Sequence, residues 1–276
     1  MTTVTHPTPG PTAPAAPTIR ARVPGFFADL VSVAGRAIRG VPREPAEFIP
    51  ALMIPLFFFV VNVGALQDFS EQSIAGFDYK AFQLPVAIIF AVTGVSRAST
   101  LVTDIQDGYF DRLLLTPVRR SALLLGLMAA DFALVCALCV PVVLLGLALG
   151  VSFATGALGI VAFIALAGLW GVVFTGFPYA IALKTGSPGA VASSFILFFP
   201  FAFLTTSTLP RDALTGWLDT VAGYNPVTYL LDGMRSLVSV GWEWEPISKA
   251  LLAIALVGAV SQSMCFAALR GRVKRG

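Results

Sequence analysis

The sequence predicts an all-α polytopic membrane protein with six transmembrane helices and both termini in the cytoplasm. Of its 276 residues, 57% are hydrophobic and only 12% are charged, and the mean hydropathy is +0.84. A soluble domain is typically about 45–50% apolar and about 25% charged, so this chain lacks the polar residues that a water-facing surface requires. The composition therefore excludes a soluble globular enzyme.

The six spans are predicted from long stretches that are almost free of charge, because a helix needs about 20 apolar residues to cross about 30 Å of hydrocarbon. Arg97 is the only charge in the second stretch, and Asp131 is the only charge in the third and fourth. A turn-like segment at 150–156 separates the third stretch from the fourth. The predicted spans are residues 48–67, 81–103, 122–149, 157–183, 189–208 and 250–269.

The distribution of Lys and Arg indicates the orientation. With the N-terminus inside, the cytoplasmic segments carry thirteen of these residues and the outer segments carry four. Residues 1–25 contain six prolines and no apolar stretch, which predicts a disordered cytoplasmic tail and not a signal peptide. The basic residues 271–276 form a second cytoplasmic tail. Because the basic residues are spread over the span ends, they indicate no nucleic-acid partner.

The transmembrane domain, residues 26–270, begins with an amphipathic helix at 26–40. Apolar residues recur there at helical spacing, whereas Asp29, Arg36 and Arg39 fall towards the other side. Such a helix is suited to lie in the cytoplasmic interface with its apolar face in the acyl chains.

The inner loop 104–120 combines charges with large apolar side chains. It is too polar to span, yet Phe110, Leu113 and Leu114 recur at the spacing of one helix face. Exposed apolar groups rimmed by charges are typical of a docking surface. We therefore predict a short helix that presents these three side chains to a groove on a partner. A loop folded back onto the bilayer surface remains the alternative.

The outer segment 209–241 is partly apolar and is interrupted at Asn225-Pro226. Because a proline disfavours helix at the residue before it, two short helices that dip into the outer leaflet are predicted in place of another span. Asp232 and Arg235 are three residues apart and can form an ion pair. The candidate residues of this segment are Trp217, Asn225, Pro226, Tyr229, Asp232 and Arg235.

Two charges fall inside predicted spans. Arg97 lies near the inner end of the second span, where its long side chain can reach the cytoplasmic surface. Asp131 lies deeper, about 15 Å along the third span from Arg120. We favour a structural hydrogen bond or ion pair for Asp131, with Arg97 as the nearest conceivable partner. A role towards a substrate or a proton stays open.

The sequence contains no recognisable motif for catalysis, nucleotide binding or metal binding. It contains no phosphate-binding loop and no metal-ligand cluster, and its one histidine, His6, lies in the tail. Cys136 and Cys139 form a C-x-x-C pattern within an apolar stretch, where thiols behave as small hydrophobes. We therefore expect this chain to hydrolyse no ATP itself and to hold no cofactor and no metal.

Two stretches carry a family resemblance. The first, 115–126, reads Leu-Thr-Pro-Val-Arg-Arg-Ser-Ala-Leu-Leu-Leu-Gly. The second, 210–235, reads Pro-x-x-x-Leu-x-x-Trp-Leu and ends on Asn-Pro-Val-Thr-Tyr-Leu-Leu-Asp-Gly-Met-Arg. Together with the interfacial helix and the six spans, they resemble the membrane subunit of an ABC-2 type exporter, nearest to the daunorubicin/doxorubicin-resistance permease group. The resemblance covers about residues 26–269.

The resemblance implies a permease that dimerises in the lipid bilayer, as a homodimer or a heterodimer. Each copy docks on a cytoplasmic ABC ATPase subunit, which binds ATP and Mg. The inner loop then matches the coupling helix, which passes ATP-driven closure to the spans. The coupling residues carried over are Asp107, Tyr109, Phe110, Asp111, Arg112, Leu113, Leu114, Thr116, Pro117 and Arg119.

The family pattern also places the first, second and fifth spans around the dimer axis, where the substrate would pass. Aromatic walls with a few polar groups suit an apolar or amphipathic molecule. The candidate residues of the substrate path are Phe57, Phe58, Asn62, Phe195, Phe198, Phe199 and Thr205.

The predicted function is the permease subunit of an ATP-driven exporter. It would move a hydrophobic or amphipathic drug-like or lipid-like molecule out of the cytoplasm or the inner leaflet, as in drug efflux and antibiotic resistance. The predicted location is a bacterial cell membrane. One alternative is a permease for a polysaccharide or lipid-linked glycan on the same scaffold. A second, less favoured, is a secondary transporter that uses no ATP.

Overall fold

The computed structural model describes residues 25–40, 45–73, 76–93, 95–114 and 120–273, and all regular structure among them is helical. A 3₁₀ turn lies at Phe195–Leu197, a second lies at Arg211–Ala213, and a π turn lies at Ser236–Val240. The α-helices are α1 (Phe26–Gly40), α2 (Pro45–Ser73), α3 (Tyr79–Thr93), α4 (Ala98–Gln106), α5 (Tyr109–Leu114), α6 (Arg120–Ala148), α7 (Gly156–Thr185), α8 (Pro188–Ser194), α9 (Phe198–Phe203), α10 (Trp217–Tyr224), α11 (Pro226–Arg235) and α12 (Trp244–Val273).

Five stretches of helix in the described part of the chain are long and apolar enough to cross a membrane. This confirms the prediction of an all-α multi-pass chain. The five stretches are α2, α3 with α4, α6, α7 and α12, which overlap the predicted spans 48–67, 81–103, 122–149, 157–183 and 250–269.

The predicted fifth span, 189–208, is shorter and irregular. Its helical part, Pro188–Phe203, has 16 residues and includes the 3₁₀ turn, which gives a length of about 24 Å. The helix ends at the hydroxyl-rich run 205–207, where side chains compete for backbone groups. The Thr205 hydroxyl, for example, donates to the carbonyl oxygen of Ala202 at 2.8 Å. A sixth helix of full length therefore stays a prediction.

The second span is two helices and not the single helix predicted for 81–103. α3 ends at Thr93, α4 begins at Ala98, and the described residues between them, 95–97, are not helical. The Ser96 hydroxyl accepts a hydrogen bond from the backbone N–H of Ala98 at 3.1 Å. Serine thus offers the backbone a partner outside the helix.

The two ends of the bundle are distinct, and we name them after the predicted orientation. At the inner end, Arg36 lies 3.4 Å from Asp104, and the Gln106 side chain donates to the carbonyl oxygen of Gly186 at 3.0 Å. At the outer end, a cavity of about 510 Å³ is lined by residues that follow α2, α6 and α9 and by the end of the π turn. The segment between Gly186 and Pro210 therefore joins the two ends of the bundle.

Two separate apolar cores lie along the bundle. The outer core includes Leu84 and Val92 of α3, Val135 of α6, and Trp170 and Phe174 of α7. The inner core includes Leu101 of α4, Phe110 of α5, Leu127 of α6, Leu183 of α7 and Val191 of α8.

The amphipathic helix α1 packs along α6. A Cβ atom added to Gly126 would lie 2.7 Å from the Cβ of Val33, so the two helices touch where α6 has no side chain. Ala34 is buried, whereas Val31 and Ile38, seven residues apart, are exposed on a face of α1 away from the bundle. The helix at 26–40 is confirmed, and its position in the membrane interface stays a prediction.

The last helix, α12, is fastened to α7 by polar contacts between apolar surfaces. The Ser261 hydroxyl donates to the carbonyl oxygen of Val173, and the Gln262 amide donates to that of Val172 at 3.1 Å. A Cβ atom added to Gly176 would lie 2.8 Å from the backbone of Ser261. The two helices therefore approach as closely as their backbones allow.

Candidate functional site

The inner end carries the short helix predicted in the loop 104–120. α4 and α5 are joined through Asp107 and Gly108, and Gly108 has a φ of +69°, a left-handed conformation that suits glycine. Tyr109 is exposed, and its ring lies 4.9 Å below the guanidinium of Arg36. Arg112 is also exposed. The outward face of α5 therefore offers an aromatic ring and a positive charge.

The prediction that Phe110 is exposed for docking is wrong. The turn at Gly108 directs its side chain back towards Ile105 in the inner core, and only 2% of its surface is accessible. Phe110 therefore anchors α5 to the bundle. Thr116, Pro117 and Arg119 lie outside the described residues, as do the side chains of Asp111, Leu113 and Leu114.

The candidate substrate path centres on Phe90 of α3, a residue that the sequence did not single out. Its ring stacks on Phe58 of α2 with the centroids 5.1 Å apart, and it meets Phe198 at 5.8 Å and Phe203 at 5.4 Å edge to face. Phe199 stacks on Phe203 at 6.2 Å. We call these five residues the aromatic cluster; it joins α2, α3 and α9.

Only part of the predicted substrate path is brought together. Phe58, Phe198 and Phe199 meet in the aromatic cluster, whereas Phe195 is half-buried beside it in the chain. The buried Thr205 uses its hydroxyl at the end of α9.

Two predicted path residues lie instead on the exposed side of α2. Phe57 has 71% of its surface accessible, and Asn62 donates to the carbonyl oxygen of Phe58 at 2.8 Å. Both line a shallow groove of about 450 Å³ along α2. This groove is open to whatever surrounds the chain, lipid or a second copy.

At the outer end, Arg235 ties three parts of the chain together. Its guanidinium donates to the hydroxyl of Thr206 at 2.8 Å and to the carbonyl oxygen of Thr206 at 2.7 Å. It lies 3.6 Å above the ring of Phe82, and it lies 3.6 Å from Asp232, as the spacing predicted. We call Arg235, Thr206, Phe82 and Asp232 the outer clamp.

The pKa values in the outer clamp shift because of burial. Burial raises the pKa of the Asp232 carboxyl, and the Arg235 and Arg211 guanidiniums oppose this rise. Burial also lowers the pKa of Arg235 to about 9, and the Asp232 carboxylate opposes this fall. Arg235 thus keeps its charge at neutral pH.

Asn225 divides the outer segment as predicted, and it does more than end a helix. Its side-chain oxygen accepts from the backbone N–H of Val227 at 3.0 Å, which caps α11, where Pro226 fills the first position. Its amide also donates to the carbonyl oxygens of Phe201 and Leu204, both at 2.8 Å. Asn225 therefore closes the end of α9 and begins α11.

The remaining candidates of the outer segment differ in environment. The Tyr229 hydroxyl donates to the carbonyl oxygen of Gly223 at 2.6 Å, which braces the corner between α10 and α11. Trp217 is exposed, as are Tyr224, Trp242 and Trp244 at the same end. Exposed aromatic residues at one end of a helical bundle are typical of a membrane–water interface.

Asp131 is fully buried between α4, α6 and α7. One carboxylate oxygen accepts from the backbone N–H of Arg97 at 3.1 Å, and the other accepts from the Tyr179 hydroxyl at 2.7 Å. The first of these bonds holds the backbone of Arg97, the residue immediately before α4. Arg97 is thus a partner of Asp131, as predicted, through its backbone N–H.

The sequence model of the ABC-2 type transporter family matches residues 30–239, which include α2 to α11 and most of α1. The chain belongs to the ABC-2 type transporter family. Membership implies embedding in a membrane and a separate ABC ATPase as partner. The family match ends before α12, which the structure nevertheless packs tightly against α7.

Similar proteins that are named as permeases support this family assignment. The daunorubicin resistance ABC transporter permease protein DrrB1 of Streptomyces coeruleorubidus is 26% identical over 210 residues, 74% of this chain and 72% of its own. A Cyanophora paradoxa chain, ycf38, named as a transport permease, is 26% identical over 220 residues, 78% of this chain and 75% of its own. The probable doxorubicin resistance ABC transporter permease protein DrrC of Mycobacterium tuberculosis is 23% identical over 228 residues, 82% of this chain and 83% of its own.

Removing the charge of the outer clamp should destabilise this ABC-2 chain. We expect Arg235→Met to lower the free energy of unfolding by about 2–3 kcal/mol, because the buried acceptors of Thr206 lose a charged donor. Arg211→Met is the matched control: its exposed bridge to Asp219 should contribute less than about 1 kcal/mol. Thermal unfolding of both variants in detergent measures the difference. Equal shifts of the unfolding temperature in the two variants would contradict a stabilising role for the outer clamp.

Proposed function

We propose that this chain is the permease subunit of an ATP-driven exporter for a hydrophobic or amphipathic drug-like or lipid-like molecule. The observation that carries the proposal is the two-sided helix α5. Phe110 anchors it in the inner core, while Tyr109 and Arg112 remain exposed at the inner end. A helix held by the bundle on one side and open on the other is suited to receive a push from a docked subunit.

We further propose six membrane crossings with both termini in the cytoplasm. The contacts of Gly186 at the inner end and of Thr206 at the outer end support a crossing by the irregular segment between them. A broken helix is tolerated in a membrane where protein covers its free backbone groups, and Asn225 bonds two such carbonyl oxygens. The excess of Lys and Arg on the inner side supports the orientation.

The aromatic cluster supports an aromatic or apolar cargo. Its five side chains carry no charge and offer both faces and edges of rings, which suit flat amphipathic molecules. The names of two relatives mention daunorubicin and doxorubicin resistance, and we propose the same chemical class for this chain. A second permease copy, identical or not, would face the exposed side of α2, and the two bacterial relatives suggest a bacterial cell membrane.

Retention of the ATPase tests the docking face. We expect the double variant Tyr109→Asp, Arg112→Glu to retain at least tenfold less ATPase subunit on affinity purification from membranes, the ratio that about 1.4 kcal/mol produces. Tyr224→Asp with Arg211→Glu makes the same changes at exposed positions of the outer end and should leave retention unchanged. A wild-type chain that retains no ATPase would refute the proposed function.

Daunorubicin efflux tests the aromatic cluster. In cells that express the chain with its ATPase, Phe90→Leu should lower efflux about tenfold, because three ring contacts of about 0.5–1.5 kcal/mol each are lost. Phe153→Leu removes a ring that meets Phe163 in the outer core, away from the cluster, and should have a small effect. If the wild type exports no daunorubicin while retaining an ATPase, the glycan alternative gains support.

Cysteine labelling tests the six crossings. In a chain without Cys136, Cys139 and Cys265, an impermeant maleimide applied outside should label Thr215→Cys and Tyr224→Cys. It should leave Asp107→Cys and Lys184→Cys unlabelled until the membrane is opened. All four positions are exposed, so accessibility alone cannot cause the difference. Labelling of Lys184→Cys from outside would contradict a crossing between Lys184 and Thr215.

A further inference from the structure

The gap between α3 and α4 lies at the border of the two apolar cores. Val92 belongs to the outer core, whereas Ala98 and Leu101 belong to the inner core. On α6 the same border falls between Ala130 and Val135, where Asp131 lies. The second span therefore loses its helical hydrogen bonds at the level where the packing also changes from one core to the other.

Hydrogen bonds from α6 and α7 hold the two sides of this gap. On the outer side, Trp170 of α7 donates to the hydroxyl of Thr93 at 3.1 Å. On the inner side, Asp131 of α6 accepts from the backbone N–H of Arg97, and Tyr179 of α7 bonds the other oxygen of Asp131. Because α6 and α7 continue through this level without a break, they form a fixed frame around an interrupted helix.

The inner part of the second span and α5 form one body. Asp107 and Gly108 alone separate α4 from α5, and the N–H of Gly108 bonds the carbonyl oxygen of Ile105 at 3.1 Å. Ile105 and Phe110 share the inner core. A displacement of α5 is therefore transmitted to α4 by covalent connection and by packing, whereas α3 is separated from both by the gap.

We propose that the non-helical residues 95–97, which precede α4, form a hinge, and that Asp131 and Tyr179 are the positioning residues that fix its inner side. This inference rests on the proposed function, since the docked ATPase supplies the motion. α4 and α5 turn together about Arg97 while α3 stays with the outer core. A movement of α4 and α5 is then transmitted to the aromatic cluster, which contains Phe90 of α3, through a flexible joint and not through one continuous helix.

This assignment also accounts for a carboxylate buried inside an apolar bundle. Both oxygens of Asp131 have donors from the protein, and neither Asp131 nor Tyr179 has accessible surface. A substrate in the bundle would have to displace one of these donors before it could touch the carboxylate. The geometry therefore favours a positioning residue over a binding or proton-carrying one.

Hydrogen exchange of the purified chain without nucleotide tests the inner side of the hinge. Asp131→Leu removes the acceptor of the Arg97 N–H, and we expect exchange of the amides in 97–101 to rise at least tenfold while 81–92 stays unchanged. Asp131→Asn keeps an acceptor oxygen and should stay within about threefold of wild type. Thr175→Val is the matched control, because it removes a buried hydroxyl whose hydrogen bond, to the carbonyl oxygen of Val172, lies within its own helix. Uniform loss of protection along the chain would overturn the hinge.

A distance measurement in the complex with the retained ATPase tests the motion. Spin labels on Thr103→Cys of α4 and Val240→Cys at the outer end, both exposed, should change separation when ATP and vanadate are added. Tyr179→Phe and Asp131→Leu should reduce this change at least twofold while ATP hydrolysis continues. An unchanged separation in a hydrolysing wild-type complex would refute the hinge but leave the proposed function intact.

Efflux separates the hinge from a direct role for Asp131 in transport chemistry. If Asp131→Asn abolishes daunorubicin efflux while exchange and the nucleotide-dependent distance change stay at wild-type values, the positioning role is wrong. If no ATPase is retained at all, the proposed function fails, and the exchange experiment still decides whether Asp131 and Tyr179 fix the gap.

Discussion

A backbone that leaves its helix inside a membrane must find new partners for its N–H and C=O groups, because hydrocarbon offers none. The described part of this chain meets that constraint with single polar side chains from neighbouring elements. Asp131 accepts from the N–H of Arg97 at the gap in the second span. Where α9 ends, Asn225 donates to the carbonyl oxygens of Phe201 and Leu204, and Arg235 donates to that of Thr206. Polar residues are thus concentrated where helices stop, and the interruptions are as well defined as the helices.

The sequence predicts those features that depend on composition and local rules. Long apolar stretches predict the α-helical, multi-pass class, and Asn225-Pro226 marks the division between α10 and α11 because proline restricts the residue before it. The spacing of Asp232 and Arg235 predicts their ion pair, since residues three apart share a helix face. These interactions are formed between residues close together in the chain.

Features that depend on distant residues could not be predicted in the same way. Phe90 is one of 22 phenylalanines, and only the approach of α2 and α9 makes it the centre of a cluster. Phe110 has the spacing of a docking residue, yet the left-handed turn at Gly108 sends it into the core. The sequence singles out Asp131 by its charge, but its partner at Arg97 is a backbone N–H, which exists only because the second span is interrupted.

The contacts of α1 change what the ATPase would have to move. Arg36 contacts both Asp104 of α4 and the ring of Tyr109 of α5, so a movement of these two helices would also pull on α1, which packs along α6. If α1 lies in the membrane interface as predicted, its exposed Val31 and Ile38 would contact the acyl chains. In that case the lipids around α1 would resist the movement of α4 and α5, and transport would depend on the lateral pressure of the bilayer.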